Sequence, residues 1–498
     1  MYKIDWKKYL SSKRFRDSKF DKEKESSKGF ISEEMRNGFE SDLGRVIFSS
    51  AIRRMHDKTQ VIPLTSGDSV HTRLTHSIEV MNIAMSLGTA LCRSKEFKDL
   101  YDQPDELFEL ERSIPKILAA AGFIHDVGNP PFGHFGETII QNYFKNYLKN
   151  HSITDKQNLD FTNFDGNAQG FRVVTKLQYI GDLSGLNLTY ATLAAYLKYP
   201  NKGEADKKGY IGNHKHGIYH SEIEIFDKLV YECNLKDGEK IKRHPLAFLV
   251  EAADSISYYV MDIEDGYSMG WFSFGQLVEY LNKEIINYAT KKNIDLTEYY
   301  VDEKFNVLKL LNVKEQEIDH DGKLIEKNDK RKMVDLRVKL ISYFVKLALA
   351  NYTKHLEEID KGTYNAELLE EDDFGMGKAL GNFARRYIFT QKQIEQSELT
   401  GSSVLTGLLD ILLGYVFNDD KAYRGRVKNV ISKTAIKVAM HECKDYGSYH
   451  FYTEDEFAEL KIEDLDQYSK LRMVVDFVSG MTDKYAVTLY QQLSGQRL

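Results

Sequence analysis

The sequence predicts an almost entirely α-helical protein, and proline usage is the first observation behind this prediction. Only seven of the 498 residues are proline and the last is Pro245, whereas an average chain of this length would have about 25. Proline breaks helix interiors, so a long proline-free stretch rich in Leu, Lys, Glu, Ile and Ala favours consecutive helices. The second observation is that apolar residues recur every three or four positions in several segments, as the inner face of a helix requires.

The predicted elements follow in order along the first half of the chain. Residues 1–45 are polar and charged, and they predict a partly ordered N-terminal arm. Residues 160–170 and 199–220 have little periodicity and predict loops, the second of them functional. Helices are predicted over residues 45–60, 114–127 and 171–180, and from Pro245 to about Asp262. Another helix is predicted to follow a start signal at 67–69. Gly128 and the two prolines after it end the helix at 114–127.

Composition excludes several classes of protein. Apolar residues make up 42% and charged residues 29%, as in a globular protein rather than a disordered one. No apolar run approaches about 18 residues and the basic N-terminus has no signal core, so we expect neither a membrane span nor secretion. The three cysteines form no CxxC pattern, which fits a reducing cytoplasm. The net charge is −7, so any bound polyanion needs a local basic patch.

Metal-ligating residue types stand on three of the predicted helices. They are His76, the adjacent pair His125 and Asp126, and Asp254, which lies among small residues. Imidazoles and carboxylates without a thiolate suit Mn, Fe, Zn, Co or Ni, and Mg where water completes the shell. A lone histidine on an apolar helix is more often a core residue, and the dipeptide at His56 is expected on the surface. The pair at 125–126 differs because it ends a helix, where both side chains can reach one ion.

A Gly/Pro-rich loop follows that pair and carries His134 and Glu137. Their spacing of three residues suits a positioned acid or base with an orienting carboxylate, although a purely structural loop would have the same composition. Farther along, Asp254, Tyr258 and Asp262 fall on one helical stripe that is too polar for a core face without a partner. Such a stripe could be solvated, or it could hold a sugar beside the metal.

The ordered set of metal-ligating residues resembles the metal motif of the HD superfamily of phosphohydrolases. The segments RLTHSIEV, HDVGNPPFGHFGE, FDGNAQGFR, KHGIYHSE, EAADSISYYVMDIEDG and SGMTDKYAVTLY are more specific, and they resemble bacterial deoxyguanosinetriphosphate triphosphohydrolases. The similarity spans Arg14 to about Tyr490 and is weakest between about 270 and 460. It implies an all-α HD-domain fold with an arm at 1–45, an HD-type catalytic core at 46–315, and a C-terminal helical region at 316–498 packed on the core.

The resemblance also implies an activity, which is hydrolysis of dNTPs, above all dGTP, at the α-phosphate to give a deoxynucleoside and triphosphate. The implied metal ligands are His76, His125, Asp126 and Asp254, and the implied catalytic pair is His134 with Glu137. Tyr258 would cover the sugar and disfavour a 2′-hydroxyl, while Gln60 and Asp262 would hold the 3′-hydroxyl. The residues implied to contact the triphosphate are Arg73, Asn167, Lys198, Tyr199 and Lys215. The residues leave open whether His134 acts as an acid or a base.

Cofactor and partners follow in the same way. We expect a divalent ion, Mg or Mn first and Fe, Co, Ni or Zn otherwise, in a cytoplasmic homo-oligomer that by resemblance is a hexamer. A basic stretch from Lys421 to Lys437 predicts either a solvated helix face or a surface for an effector nucleotide or single-stranded DNA. Two other functions fit the same residues: another HD-type phosphohydrolase, such as a nucleotidase or phosphodiesterase, and a nucleotide- or DNA-binding regulator.

Overall fold

The computed structural model describes most of the chain as helix. The described residues are 1–16, 36–60, 71–151, 153–178, 184–203, 205–294, 300–302, 305–306, 311, 316–318, 324–444, 456, 459 and 461–496. Their helices confirm the all-α prediction. They are α1 (Gly38–Ile47), α2 (Ser50–Arg54), α3 (Arg73–Arg93), α4 (Lys95–Leu100), α5 (Pro104–Ile124), α6 (Gly133–Tyr147), α7 (Asp155–Thr162), α8 (Gly166–Arg172), α9 (Tyr190–Tyr196), α10 (Ile223–Glu232), α11 (Ala247–Ser268), α12 (Phe274–Lys292), α13 (Asp329–Lys354), α14 (Leu356–Asp360), α15 (Met376–Tyr387), α16 (Lys392–Val416), α17 (Lys421–Val430), α18 (Lys433–Lys444), α19 (Gln467–Ser479) and α20 (Asp483–Leu493).

The strands in the described residues form three short antiparallel hairpins. They pair β1 (Lys236–Asp237) with β2 (Lys240–Ile241), β3 (Tyr300–Asp302) with β4 (Phe305–Asn306), and β5 (Gln316–Ile318) with β6 (Leu324–Glu326).

Several helix bounds differ from the sequence prediction for local reasons. The helix expected over 45–60 is two helices, because the Ser49 side chain accepts a hydrogen bond from Ile52 N–H and caps α2. The expected start at 67–69 lies outside the described residues, and α3 begins after a capping box at Thr72. The helix expected over 171–180 begins at Gly166 and passes into a π-helical turn.

The apolar side chains gather in two clusters. The first surrounds α3, α5 and α11 and includes helices from both sides of residue 316, while the second joins α6 to α16 and α18–α20. The division at 315/316 therefore stays a prediction. Helix α16 is long and apolar enough to cross a membrane, but its inner face, which includes Leu405, Leu408 and Leu412, is buried against α6, α19 and α20. The burial of this face against three other helices is typical of a core helix.

Residues 17–35 of the predicted N-terminal arm lie outside the described residues, and the arm at 1–45 stays a prediction. Ile4, Trp6 and Tyr9 are buried in the first cluster, and α1 occupies residues 38–47. Tyr9 donates a hydrogen bond of 2.5 Å to Asp360. The apolar residues that anchor this segment are interspersed with lysines, so the polar character of the segment as a whole concealed them.

One buried arginine ties the two clusters together. Arg172, at the end of α8, is fully buried and donates to Glu222 at 2.7 Å, to Glu442 at 2.8 Å and to Asp476 at 2.8 Å. Two of these carboxylates stand on α18 and α19. The GNAQGFR segment therefore directs its arginine toward the C-terminal helices.

Candidate active site

Three of the predicted ligands converge where α3, the end of α5 and α11 meet. Nε2 of His76 lies 3.2 Å from Oδ1 of Asp254, and Nε2 of His125 lies 3.4 Å from the same oxygen. All three ligand atoms lie within 4.8 Å of one another. Helix packing brings them together from positions separated by up to 178 residues.

This donor set fits a divalent cation. His125 Nδ1 donates to the Gly122 carbonyl at 2.7 Å, which leaves Nε2 directed toward the other ligands. That buried Nε2 makes no hydrogen bond of good geometry within the described part of the chain, as expected for an atom that coordinates an ion. Burial alone would lower the pKa of His125, but the carboxylates of Asp126 and Asp254 outweigh burial and raise it to about 9. Their negative field is the kind that attracts a cation.

The fourth predicted ligand, Asp126, lies beside this trio and is already hydrogen-bonded. Oδ1 lies 3.6 Å from His125 Nε2 and accepts from Asn129 Nδ2 at 2.5 Å, while Oδ2 accepts from Arg73 at 2.5 Å. Burial would raise the pKa of Asp126, but the Arg73 charge lowers it to about 2. Asp126 is therefore ionised and fixed in place at the edge of the site.

The His134–Glu137 pair occupies the first turn of α6. Nδ1 of His134 lies 2.9 Å from Oε2 of Glu137, whose Oε1 accepts from Gly166 N–H at 2.7 Å. Glu137 is buried, whereas the His134 side chain is 78% exposed. The hydrogen bond to Glu137 raises the pKa of His134. The backbone fits this placement because Phe132 and Gly133 take left-handed φ angles of 63° and 57°, and a Cβ at Gly133 would lie 2.5 Å from Arg73 Nη2.

A cavity of about 510 Å³ opens beside these groups. Two polar atoms in its wall, Gln60 Oε1 and Asp262 Oδ2, are buried without a hydrogen-bond partner among the described residues. Burial and the carboxylates of Asp265 and Asp254 hold the pKa of Asp262 well above its usual range. The cavity thus offers polar contacts for a ligand to satisfy. The predicted site residues that line it are Gln60, Arg73, Asp126, His134, Lys198, Asp254, Tyr258 and Asp262.

Comparisons with known proteins identify the family. The HD domain model matches residues 73–160, and the phosphohydrolase-associated domain model matches residues 452–492. The chain is 34% identical to the deoxyguanosinetriphosphate triphosphohydrolase-like protein of Listeria monocytogenes, over 99% of this chain and 100% of that protein. A protein of the same name in Pseudomonas aeruginosa is 31% identical over 93% of this chain and 94% of its own length. In Synechocystis the identity is 30% over 99% of both chains.

The chain belongs to the deoxyguanosinetriphosphate triphosphohydrolase-like family. It is therefore an HD-domain phosphohydrolase, of the class whose HD motif binds divalent metal. The HD match begins at Arg73 and includes three of the four predicted metal ligands as well as His134 and Glu137.

Three predicted triphosphate contacts of this triphosphohydrolase-like chain stand beside the cavity rather than in its wall. Lys215 Nζ lies 3.3 Å from Asp165. Burial would lower the pKa of Lys215, but the negative charges of Asp165 and Glu137 raise it. Asn167 directs its amide to Asp165 at 2.8 Å, and Tyr199 is buried near both predicted lysines, Lys198 and Lys215. The structure therefore groups these residues around Asp165, next to the His134–Glu137 pair.

One wall of the cavity was missed by reasoning from the sequence. Phe389, Ile394 and Glu398 line it from α16 and the turn before that helix, and the Phe389 ring stacks on Tyr258 with centroids 6.4 Å apart. Glu367 lines it beside Lys198, at 3.7 Å. All four come from the region of weakest family resemblance, and their residue types form no motif.

Proposed function

We propose that this phosphohydrolase cleaves deoxynucleoside triphosphates at the α-phosphate, with dGTP the favoured substrate, and releases a deoxynucleoside and intact triphosphate. The observation that carries the proposal is that Asp254 of the metal-ligating trio and His134 of the His134–Glu137 pair line one cavity. Its wall also presents Tyr258 and Asp262. The names of the relatives point to the same substrate.

His76, His125 and Asp254, with Asp126 at the edge, would hold the divalent ion, for which we propose Mg or Mn. When bound, such an ion supplies Lewis-acid polarisation of phosphoryl oxygens and acidifies water. Arg73 stands next to Asp126 and keeps a positive charge in the cavity wall, so it would neutralise charge that spreads onto phosphate oxygens.

Lys198 and Lys215 extend this positive surface. Burial would lower the pKa of each lysine, but Glu251 beside Lys198 and Asp165 beside Lys215 raise both pKa values, so both side chains stay charged. With Asn167 and Tyr199, they would bind the β- and γ-phosphates of the substrate while the bond between the α-phosphorus and the 5′-oxygen breaks.

His134 would protonate the leaving 5′-oxygen of the sugar. Glu137 binds its Nδ1, which directs Nε2 outward into the cleft, and the same hydrogen bond raises the pKa of the imidazole. A histidine that retains its proton suits the acid role better than the base role. Glu137 is itself fixed by Gly166 N–H, so the ring has a defined orientation.

Tyr258, Asp262 and Gln60 would hold the sugar. The unpaired polar atoms of Asp262 and Gln60 would bind the 3′-hydroxyl, since a buried polar group without a partner among the described residues is costly. The Tyr258 ring, packed on Phe389, would leave no room for a 2′-hydroxyl and would thereby exclude ribonucleotides.

The test is a product assay on each dNTP and on GTP, with Mg or Mn, analysed for intact triphosphate. We expect triphosphate from dGTP and little from GTP. Triphosphate only from dNTP mixtures would indicate a broader enzyme that needs an effector nucleotide. Release of phosphate or pyrophosphate instead would indicate another HD-type phosphohydrolase, and the absence of any product with folded, metal-loaded protein would favour a regulator.

We also propose that the enzyme acts in the cytoplasm as a homo-oligomer, a hexamer by family resemblance. The free cysteines Cys92 and Cys233 are buried, which suits a reducing compartment. Light scattering on the purified protein measures the assembly, and titration with single-stranded DNA tests the basic stretch at 421–437.

A further inference from the structure

The carboxylate of Asp483, the first residue of α20, joins two distant backbone segments. Its Oδ1 accepts from Phe132 N–H at 3.0 Å. Its Oδ2 accepts from Thr59 N–H at 3.0 Å and from the Thr59 hydroxyl. The residue is buried, and these partners lie more than 350 positions away in the sequence.

Lys58 forms the second half of this junction. Its buried Nζ donates to the Asn129 carbonyl at 2.6 Å and to the Ser479 carbonyl at 3.0 Å. Its own carbonyl accepts from Arg73 N–H at 3.0 Å, where α3 begins. We name Lys58, Thr59 and Asp483 the C-terminal clamp.

The segments held by the clamp carry residues of the candidate site. Phe132 has a left-handed φ of 63°, which a bulky residue adopts only when its surroundings impose it. It is followed by Gly133 and then by His134. On the other side, Thr59 directly precedes Gln60. One carboxylate therefore sets the spacing between the two backbone segments that present these side chains.

We propose that Asp483 and Lys58 are positioning residues for the reaction, acting through the backbone of 129–133 and 58–59 rather than on substrate. Without the Asp483 carboxylate, Phe132 N–H loses its buried acceptor and its left-handed conformation is no longer imposed. Relaxation of that turn moves His134 relative to Gln60. The phosphohydrolase-associated domain at residues 452–492, which contains Asp483, would thus complete the active site. As a statement about catalysis, this inference rests on the proposed function.

The test compares Asp483→Asn with Thr482→Ala. Asparagine keeps the shape but replaces one acceptor oxygen with an NH2 group, so it cannot accept from both Phe132 and Thr59. Thr482 caps the same helix by accepting from Tyr485 N–H at 3.3 Å, and its hydroxyl is directed along that helix rather than at the clamp. The control therefore weakens the same helix end without releasing either backbone segment.

For Asp483→Asn we expect kcat for dGTP to fall by about tenfold to a hundredfold while Mn affinity stays within about twofold. Backbone amides of 129–136 should exchange hydrogen faster in this variant. Thr482→Ala should lower Tm and leave both kcat and that exchange unchanged. If Asp483→Asn does not fold, Lys58→Met is measured by the same readouts. Methionine keeps the volume of the aliphatic part of the lysine side chain and removes the hydrogen bonds to the carbonyls of Asn129 and Ser479.

If hydrogen exchange at residues 129–136 is unchanged in Asp483→Asn, the inference is wrong. It is also wrong if Asp483→Asn and Thr482→Ala lose kcat equally at matched Tm. If the wild-type protein releases no triphosphate, the proposed function fails. The exchange comparison then still decides whether the clamp holds the turn.

Discussion

Replacing His134 with alanine should separate catalysis from folding in this protein. The His134 side chain is 78% exposed while Glu137 is buried, and one hydrogen bond of this kind contributes about 0.5–1.5 kcal/mol to stability. Glu137 keeps its hydrogen bond from Gly166 N–H in the variant. A positioned general acid contributes about 10²–10⁴-fold to rate, which corresponds to about 3–5 kcal/mol of activation free energy. The loss in kcat should therefore far exceed the loss in stability.

The assay is steady-state release of triphosphate at saturating dGTP and metal, with Tm measured in parallel. His56→Ala is the matched control, because that imidazole is 72% exposed and lies 3.2 Å from the Asp57 carboxylate, yet it does not line the cavity. We expect the control to retain wild-type kcat. A kcat for His134→Ala within about threefold of wild type, or an equal loss in His56→Ala, would refute the assignment of His134.

Three further outcomes are expected. The hydrogen bond to Glu137 raises the pKa of His134, so an acid at this position stays protonated to higher pH and activity is lost as pH rises through that pKa. Glu137→Gln should therefore move this alkaline loss of kcat to lower pH, and an unmoved profile contradicts the acid role. Tyr258→Ala should narrow the ratio of kcat/KM between dGTP and GTP by about tenfold or more, measured in parallel initial-rate assays, and a constant ratio argues against steric exclusion of the 2′-hydroxyl. His125→Ala should lose bound metal, assayed by elemental analysis after gel filtration, together with turnover, and full metal content would contradict its role as a ligand.

The sequence predicts the parts of the candidate site in which reactive residue types lie a few positions apart along the chain. The HD dipeptide ends a helix, and His134 and Glu137 are three residues apart, so their mutual orientation follows from helix geometry. His76 and Asp254 were found by residue type and by family resemblance. In the structure, one ligand atom from each of these two residues and from His125 lie within 4.8 Å of one another.

Features that depend on long-range packing were beyond prediction from the sequence. Asp483 lies in the segment SGMTDKYAVTLY, and nothing in its neighbourhood indicates that its carboxylate reaches Thr59 and Phe132. The cavity wall at Ile394 and Glu398 depends on where α16 passes, which periodicity does not specify. Residues 1–45 predict an arm because most of them are polar, although single residues such as Trp6 are buried.

The buried Arg172 has a consequence for how the molecule unfolds. Two of its three carboxylate partners, Glu442 and Asp476, belong to the C-terminal helices, so detaching those helices breaks both ion pairs and leaves the guanidinium with only Glu222. Breaking a buried ion pair costs about 3–5 kcal/mol, which is comparable with the whole stability of a domain at about 5–15 kcal/mol. We therefore expect the metal-binding half to have no thermal transition of its own. Calorimetry of the full chain should show the two halves melting together, as one cooperative unit.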